Sequence, residues 1–211
     1  MPRTEPFEAH TDRYEAWFDE NESTYRSEIR ALERVVDLET FGVEIGVGTG
    51  QFAVPLGIDV GVDPALEMLR EAVTKDIAVV RGVAEALPFR DDQFEVALIV
   101  TTICFVDDVT TTLEEAARVL EPGGRVALGY IDRDSTYGRH YQEIKDENPF
   151  YRNATFVSTE ELLDELESVG YTDVETYQTV FSPPGEDAGI EEVRRGYGDG
   201  SFVALAATVP E

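Results

Sequence analysis

The chain has 211 residues, 42% of them hydrophobic, and carries 44 acidic against 17 basic residues for a formal net charge of −27. That length supports one domain with a substantial core rather than two, and the apolar content excludes general disorder. The charge argues against nucleic-acid backbones and anionic membranes as partners at low salt. Acidic residues run from Glu5 to Glu211 instead of forming one block, and Lys75 and Lys145 are the only lysines. This pattern leads us to expect a salt-adapted, cytoplasmic protein, because salt screens self-repulsion while carboxylates keep the surface hydrated. Cys104 is the only cysteine, so no intrachain disulfide is possible. No apolar run approaches the ~18 residues of a membrane span.

Residues 1–40 read as helix. Tyr14, Trp17 and Phe18 share one face, and Tyr25, Ile29, Leu32 and Val36 recur at spacings of three and four. The run Asp19-Glu20-Asn21-Glu22-Ser23 separates two helices, with Ser23 the expected N-cap of the second. From Phe41 onward, short apolar runs alternate with helical patterns. Residues 41–47, 58–62, 77–80, 94–100 and 125–131 read as strands, and 64–75 and 111–120 as helices. Ala97-Leu98-Ile99-Val100 is apolar throughout, the mark of a parallel sheet covered by helices on both faces. Residues 132–149 mix polar and aromatic side chains without a firm period and are expected to cover a site. Ser158 followed by Glu161 fits a capping box that opens a helix running to Val169 and closed by Gly170. Residues 172–181 and 201–209 complete the strands.

The end of the first strand carries Glu44-Ile45-Gly46-Val47-Gly48-Thr49-Gly50. Glycines at such a strand-to-helix turn allow positive φ and close backbone approach to a ligand. A nicotinamide fingerprint would be Gly-x-Gly-x-x-Gly, with a pyrophosphate at the helix start. Here the third glycine comes one residue early, at Gly50, and Gln51 takes the next position. Asp63 ends the second strand, 17 residues after Gly46. A carboxylate there can accept from both hydroxyls of a ribose, or else cap the following helix.

With these residues, the segments Gly82-Val83-Ala84-Glu85-Ala86-Leu87-Pro88-Phe89, Phe94-Glu95-Val96-Ala97-Leu98-Ile99-Val100 and Glu114-Glu115-Ala116-Ala117-Arg118-Val119-Leu120-Glu121-Pro122-Gly123-Gly124-Arg125 follow in register. Over residues 40–131 the chain resembles the class I S-adenosylmethionine-dependent methyltransferases, the small-molecule type 11 group. The resemblance implies an α/β fold: a doubly wound, mostly parallel seven-stranded sheet with an antiparallel last strand and an N-terminal helical segment. It implies one domain, with residues 1–40 as a helical cover, 41–131 as the cofactor-binding core and 132–211 as lid and substrate side.

By the same resemblance, Gly46, Gly48 and Gly50 line the methionine part of S-adenosylmethionine, Glu44 reaches its amino group and Asp63 holds its ribose. Ala84 and Glu85 border the adenine, and Thr101 lies near the transferred methyl. Many relatives have Asp where Val83 stands, so the contact to the adenine amino group moves to Glu85, backbone or water. The helix after Gly50 is cut short by Gly57. No catalytic base and no metal ligands stand out; Cys104 reads as packing and His140 as a surface residue. For the acceptor, Tyr14, Trp17, Phe18, Tyr130 and Tyr137, joined by Asp132 and Tyr141, are the candidate pocket, which suits a small molecule and in particular an amine. A nicotinamide-dependent oxidoreductase and a non-catalytic S-adenosylmethionine-binding protein are the alternatives.

Overall fold

The structure, a computed structural model, describes residues 4–37, 40–186 and 188–210; residues 1–3 and 38–39 of the N-terminal segment lie outside them. That segment forms three helices rather than two: α1 (Glu5–Ala9), α2 (Thr11–Glu20) and α3 (Glu22–Leu32). The residue preceding α3 is Asn21 and not Ser23, and its side chain bonds back to the Trp17 carbonyl at 2.8 Å instead of capping forward. The alternating region folds as β1 (Gly42–Ile45), β2 (Val60–Asp63), α4 (Leu66–Thr74), β3 (Ala78–Arg81), β4 (Phe94–Val100), α5 (Val109–Val119) and β5 (Leu120–Ile131). Residues 51–57 make turns in place of a regular helix. The polar-aromatic stretch is more ordered than its sequence suggests. It holds α6 (Thr136–Ile144), started by Ser135, whose hydroxyl accepts from the Gly138 N–H at 2.9 Å.

The capping box at Ser158 forms as expected: Ser158 Oγ accepts from the Glu161 N–H and Glu161 accepts from the Ser158 N–H. It opens α7 (Thr159–Val169), and Gly170 closes that helix at φ 102°. β6 (Thr172–Thr179) and β8 (Phe202–Thr208) follow, with a two-residue β7 (Arg194–Arg195) that the sequence reading omits.

The strands pair in the order β3-β2-β1-β4-β5-β8-β6-β7. Contacts among β1 to β5 are parallel, and β8 lies antiparallel between β5 and β6. Each face of this sheet has its own apolar layer. On one, Leu32, Phe52, Leu56 and Ala72 pack on Leu98, Ala127 and Ala204. On the other, Leu113, Ala116, Leu162 and Leu166 of α5 and α7 pack on Val43, Ile99 and Leu128. The uniform apolar strands are thus explained by double coverage.

Gly50, expected at the ligand, is required by this packing. Its φ is +82°, and a Cβ there would overlap Ile77 Cδ1 and come within 3.8 Å of Ala72 Cβ. Gly50→Ala is expected to destabilise the protein by about 2 kcal/mol, from the left-handed backbone and the overlap together. Adding Ile77→Val, which removes Cδ1, should recover part of that loss in chemical denaturation; no recovery would place the cost elsewhere.

Candidate active site

The strand order reverses between β1 and β4, opening a crevice at the carboxyl ends of those strands, where open α/β sheets bind ligands. The loops leaving β1 and β4 meet there. The Thr102 hydroxyl lies 3.3 Å from the Gly46 carbonyl and 3.0 Å from that of Val100. Gly46 has φ +78°, and a Cβ on it would overlap the Thr102 side chain, so glycine is required by conformation and by space. Thr101 holds a φ of +49°, strained for a β-branched residue, with its N–H on the Gly129 carbonyl at 2.7 Å. At Gly48 a Cβ would sit 3.3 Å from the Tyr14 hydroxyl oxygen.

Asp63 fixes this turn. One carboxylate oxygen accepts from the Gly48 N–H at 3.0 Å and the other from the Ala65 N–H at 2.8 Å. Burial pushes its carboxyl up to about 6, against the pull of those two N–H groups. Glu44 is 1% exposed, and burial drives its carboxyl well above the usual range. The backbone of Ala53 opposes that rise, and Oε2 has no partner. A buried orphan acceptor just behind the glycine turn is where a donor from a ligand would fit.

The N-terminal helices roof the crevice through acidic contacts. Glu8 accepts from the Leu66 and Glu67 N–H groups at 2.7 and 3.0 Å, capping α4 from outside its own chain segment. Glu15 accepts from Lys75 Nζ at 3.1 Å and Gln51 Nε2 at 3.0 Å, and Lys75 also donates to the Thr49 carbonyl at 2.9 Å. The Phe7 ring seals the junction against Phe105 and Phe150, with centroids 5.2 and 5.4 Å away. The cavity beneath this cover has a volume of about 610 Å³. Gly46, Gly48, Asp63, Ala84, Glu85 and Thr101 form its sheet side, and Phe7, Tyr14, Trp17, Phe18, Glu28, Tyr141, Phe150 and Tyr151 its cover.

Comparison with known proteins agrees with this geometry. The family model for a methyltransferase domain matches residues 43–128. An uncharacterised protein of Methanocaldococcus jannaschii is 42% identical over 95% of this chain and 97% of its own length. The crystal structure of an S-adenosylmethionine-dependent methyltransferase from Thermotoga maritima, a possible histamine N-methyltransferase, has a TM-score of 0.94 and 45% identity. That match covers 98% of this chain and 99% of that one. This chain belongs to the S-adenosylmethionine-dependent methyltransferases. A Haemonchus contortus phosphoethanolamine N-methyltransferase in complex with S-adenosylhomocysteine shares the fold at a TM-score of 0.63 and 17% identity, over 87% of this chain and 52% of that one. Neither alternative, a nicotinamide oxidoreductase or a non-catalytic binder, is favoured by these likenesses.

Not every expected residue of the methyltransferase reaches its cavity. Tyr130 and Asp132 lie on the opposite side of β5 and its extension, because alternation turns Ile131 toward the cavity and its neighbours away. The Tyr130 hydroxyl donates to Thr159 Oγ1 at 2.9 Å, and Asp132 accepts from the Asp134 and Thr159 N–H groups at 2.7 and 3.0 Å. Both therefore anchor α7. Tyr137 stands behind Tyr141, ring centroids 5.8 Å apart, and does not line the cavity. Glu44 and Gly50 lie behind the wall and not on it. Cys104 packs with Ala154 and Phe156, as expected. Among the described residues no group of His, Cys, Asp and Glu could hold a metal ion, and no helix is long and apolar enough to cross a membrane.

Glu28 escaped the sequence reading. It shares the apolar stripe of α3 with Tyr25, Ile29 and Leu32, and a carboxylate on such a stripe is the signal that marks it. Phe7 and Phe150 of the cover were also missed, since they come from segments without periodicity.

Glu15→Ala removes the acceptor shared by Lys75 and Gln51. Amide hydrogen exchange in residues 11–20 is expected to speed up several-fold while β4 and β5 stay protected. Because the pair is part-exposed, the cost in global stability should be at most about 1 kcal/mol. Unchanged exchange would show that the rings alone hold the cover.

Proposed function

We propose that the enzyme moves the methyl group of S-adenosylmethionine to a small-molecule acceptor, most simply an amine. The observation that carries this reading is the cavity beneath α1 and α2. Its volume of about 610 Å³ is the size of a small-molecule site and its cover is aromatic. The similar T. maritima protein, a possible histamine N-methyltransferase, also points to an amine.

The residues present fit the cofactor. Gly46 and Gly48 leave the backbone bare beside it, and Glu44 Oε2 is an unused acceptor suited to its amino group. Asp63 faces the cavity with a carboxylate suited to the ribose hydroxyls, and Ala84 and Glu85 would border the adenine. One Glu85 oxygen already accepts from the Asp107 N–H at 2.6 Å, so the side chain is held in place and its other oxygen is left to substitute for the carboxylate missing at Val83. Thr101, strained at the end of β4, would border the methyl group. Gly50 acts from behind by letting the turn pack on Ile77.

When bound, S-adenosylmethionine supplies a methyl group on a positively charged sulfonium, which needs no enzyme nucleophile. The chain's part is to hold the acceptor in line and keep water out. Tyr14, Trp17 and Phe18 of α2 form the apolar roof, and their rings suit a cationic acceptor. The rim in part bears charge: Arg13 lies 5.9 Å from the Phe150 ring centroid.

Two results test this reading. Asp63→Ala should weaken S-adenosylmethionine binding at least tenfold, about 1.4 kcal/mol, in calorimetry under molar salt. In the wild type, affinity should fall as pH drops through about 6, because the ribose hydroxyls donate to the ionised form that Asp63 then loses. Unaltered affinity would leave Asp63 as a brace of the turn alone. Transfer of labelled methyl groups into amines of a metabolite extract is the expected outcome for the acceptor; label confined to alcohols or carbon acids would refute the amine.

A further inference from the structure

Glu28 is a carboxyl group buried in the cavity wall, and no described residue balances it. It is 3% exposed, lines the cavity, and has no hydrogen-bond or ion-pair partner for its side chain among the described residues. Burial alone pushes it up to about 8. The titratable groups around it are phenols: Tyr14, Tyr25, Tyr137, Tyr141 and Tyr151 each feel its charge, after the larger effect of their own burial. Arg13 is the only basic residue among the described residues that line the cavity, and its guanidinium lies over Phe150.

Position separates Glu28 from the cofactor-side carboxylates. Glu28 comes from α3 and lines the cavity together with Tyr14, Tyr141 and Tyr151, whereas Asp63 enters it from the end of β2 and Glu44 does not line it. A lone carboxyl inside an aromatic chamber is costly unless a cation joins it. The described residues provide none, and the acceptor can.

We propose that Glu28 is the acceptor-binding carboxylate of this enzyme, pairing with the ammonium group of an amine acceptor and removing its proton before methyl transfer. The inference rests on the amine reading given above. An ammonium nitrogen has no free electron pair. The Glu28 carboxylate takes one proton, the N–H electron pair stays on nitrogen, and an O–H bond forms on Glu28. The nitrogen lone pair then forms the N–C bond to the methyl group as the C–S bond breaks, its electrons staying on sulfur. The products are a methylated ammonium, S-adenosylhomocysteine and a neutral Glu28, which returns its proton to solvent when the cavity opens. Charge is conserved at one net positive across the transfer.

The test uses the full chain saturated with S-adenosylhomocysteine in molar salt. Calorimetry compares 2-phenylethylamine, histamine and tryptamine with the alcohols that replace their amino groups. The wild type should prefer at least one amine over its alcohol by tenfold or more. In Glu28→Gln, which keeps shape and hydrogen bonding, that preference should vanish while affinity for S-adenosylhomocysteine is unchanged. Preference retained in Glu28→Gln overturns the proposal and leaves the amine reading standing. No preference for any amine in the wild type overturns both. A loss in Glu28→Gln of discrimination between S-adenosylmethionine and S-adenosylhomocysteine, with amine preference intact, would assign Glu28 to the cofactor and also overturn the proposal.

Thermal unfolding supplies a control on folding. The carboxyl of Glu28 sits at about 8 when folded, above its usual value of 4.5. Its contribution to stability is therefore full below 4.5 and lost as pH rises to about 8. Glu28→Gln should accordingly melt higher than the wild type at pH 8, and the gap should close toward pH 4.5. A lower melting temperature at pH 8 would mean that the carboxyl is paired in the free protein, contrary to the proposal.

Discussion

The contact between the loop leaving β1 and the loop leaving β4 decides where everything else can go. Gly46 and Thr102 touch so closely that no side chain fits between them, and this is possible only because the sheet reverses its order at that point. The close approach brings Gly48 and Thr101 to the same opening, and the reach of Asp63 from β2 to the Gly48 N–H fixes the turn from the other side. A crevice made in this way is lined by backbone and carboxylates and lacks a roof. The N-terminal helices provide one.

That roof is attached in a manner suited to an acidic chain. Two of its fastenings are glutamates that find positive partners in peptide N–H groups and one ammonium: Glu8 on the exposed start of α4, and Glu15 on Lys75 and Gln51. Lys75 is one of two lysines in the chain. With basic side chains scarce, helix N-termini and backbone amides do much of the work that arginine and lysine do elsewhere. On the cavity wall the carboxyl of Glu28 has no cation partner among the described residues, and a ligand that brings positive charge would offset its burial.

Local signals made the core of the fold legible. The apolar strands, the glycine turn, Asp63 at the end of β2 and the Ser158–Gly170 helix all depend on near neighbours, and all appear where expected. What was not legible depends on direction and distance. Alternation shows that Tyr130 and Asp132 share a side of β5, but not which side meets the cavity, and they turn out to hold α7. Gly50 looks like its two neighbours in sequence, yet its bare face meets Ile77, 27 residues away. Residues 132–149 lack a clear apolar period because α6 packs mainly through tyrosines, so its helix went unseen. Glu28 is the one miss with a readable trace, a charge on an otherwise apolar stripe.

The place of Tyr14 over Gly48 has a kinetic consequence. With its hydroxyl within 3.3 Å of where a Gly48 side chain would begin, the ring covers the part of the turn that a spent cofactor must leave. A cofactor lying on that turn would be exchanged past Tyr14, and any displacement of α2 that this needed would set a ceiling on turnover however fast the transfer itself.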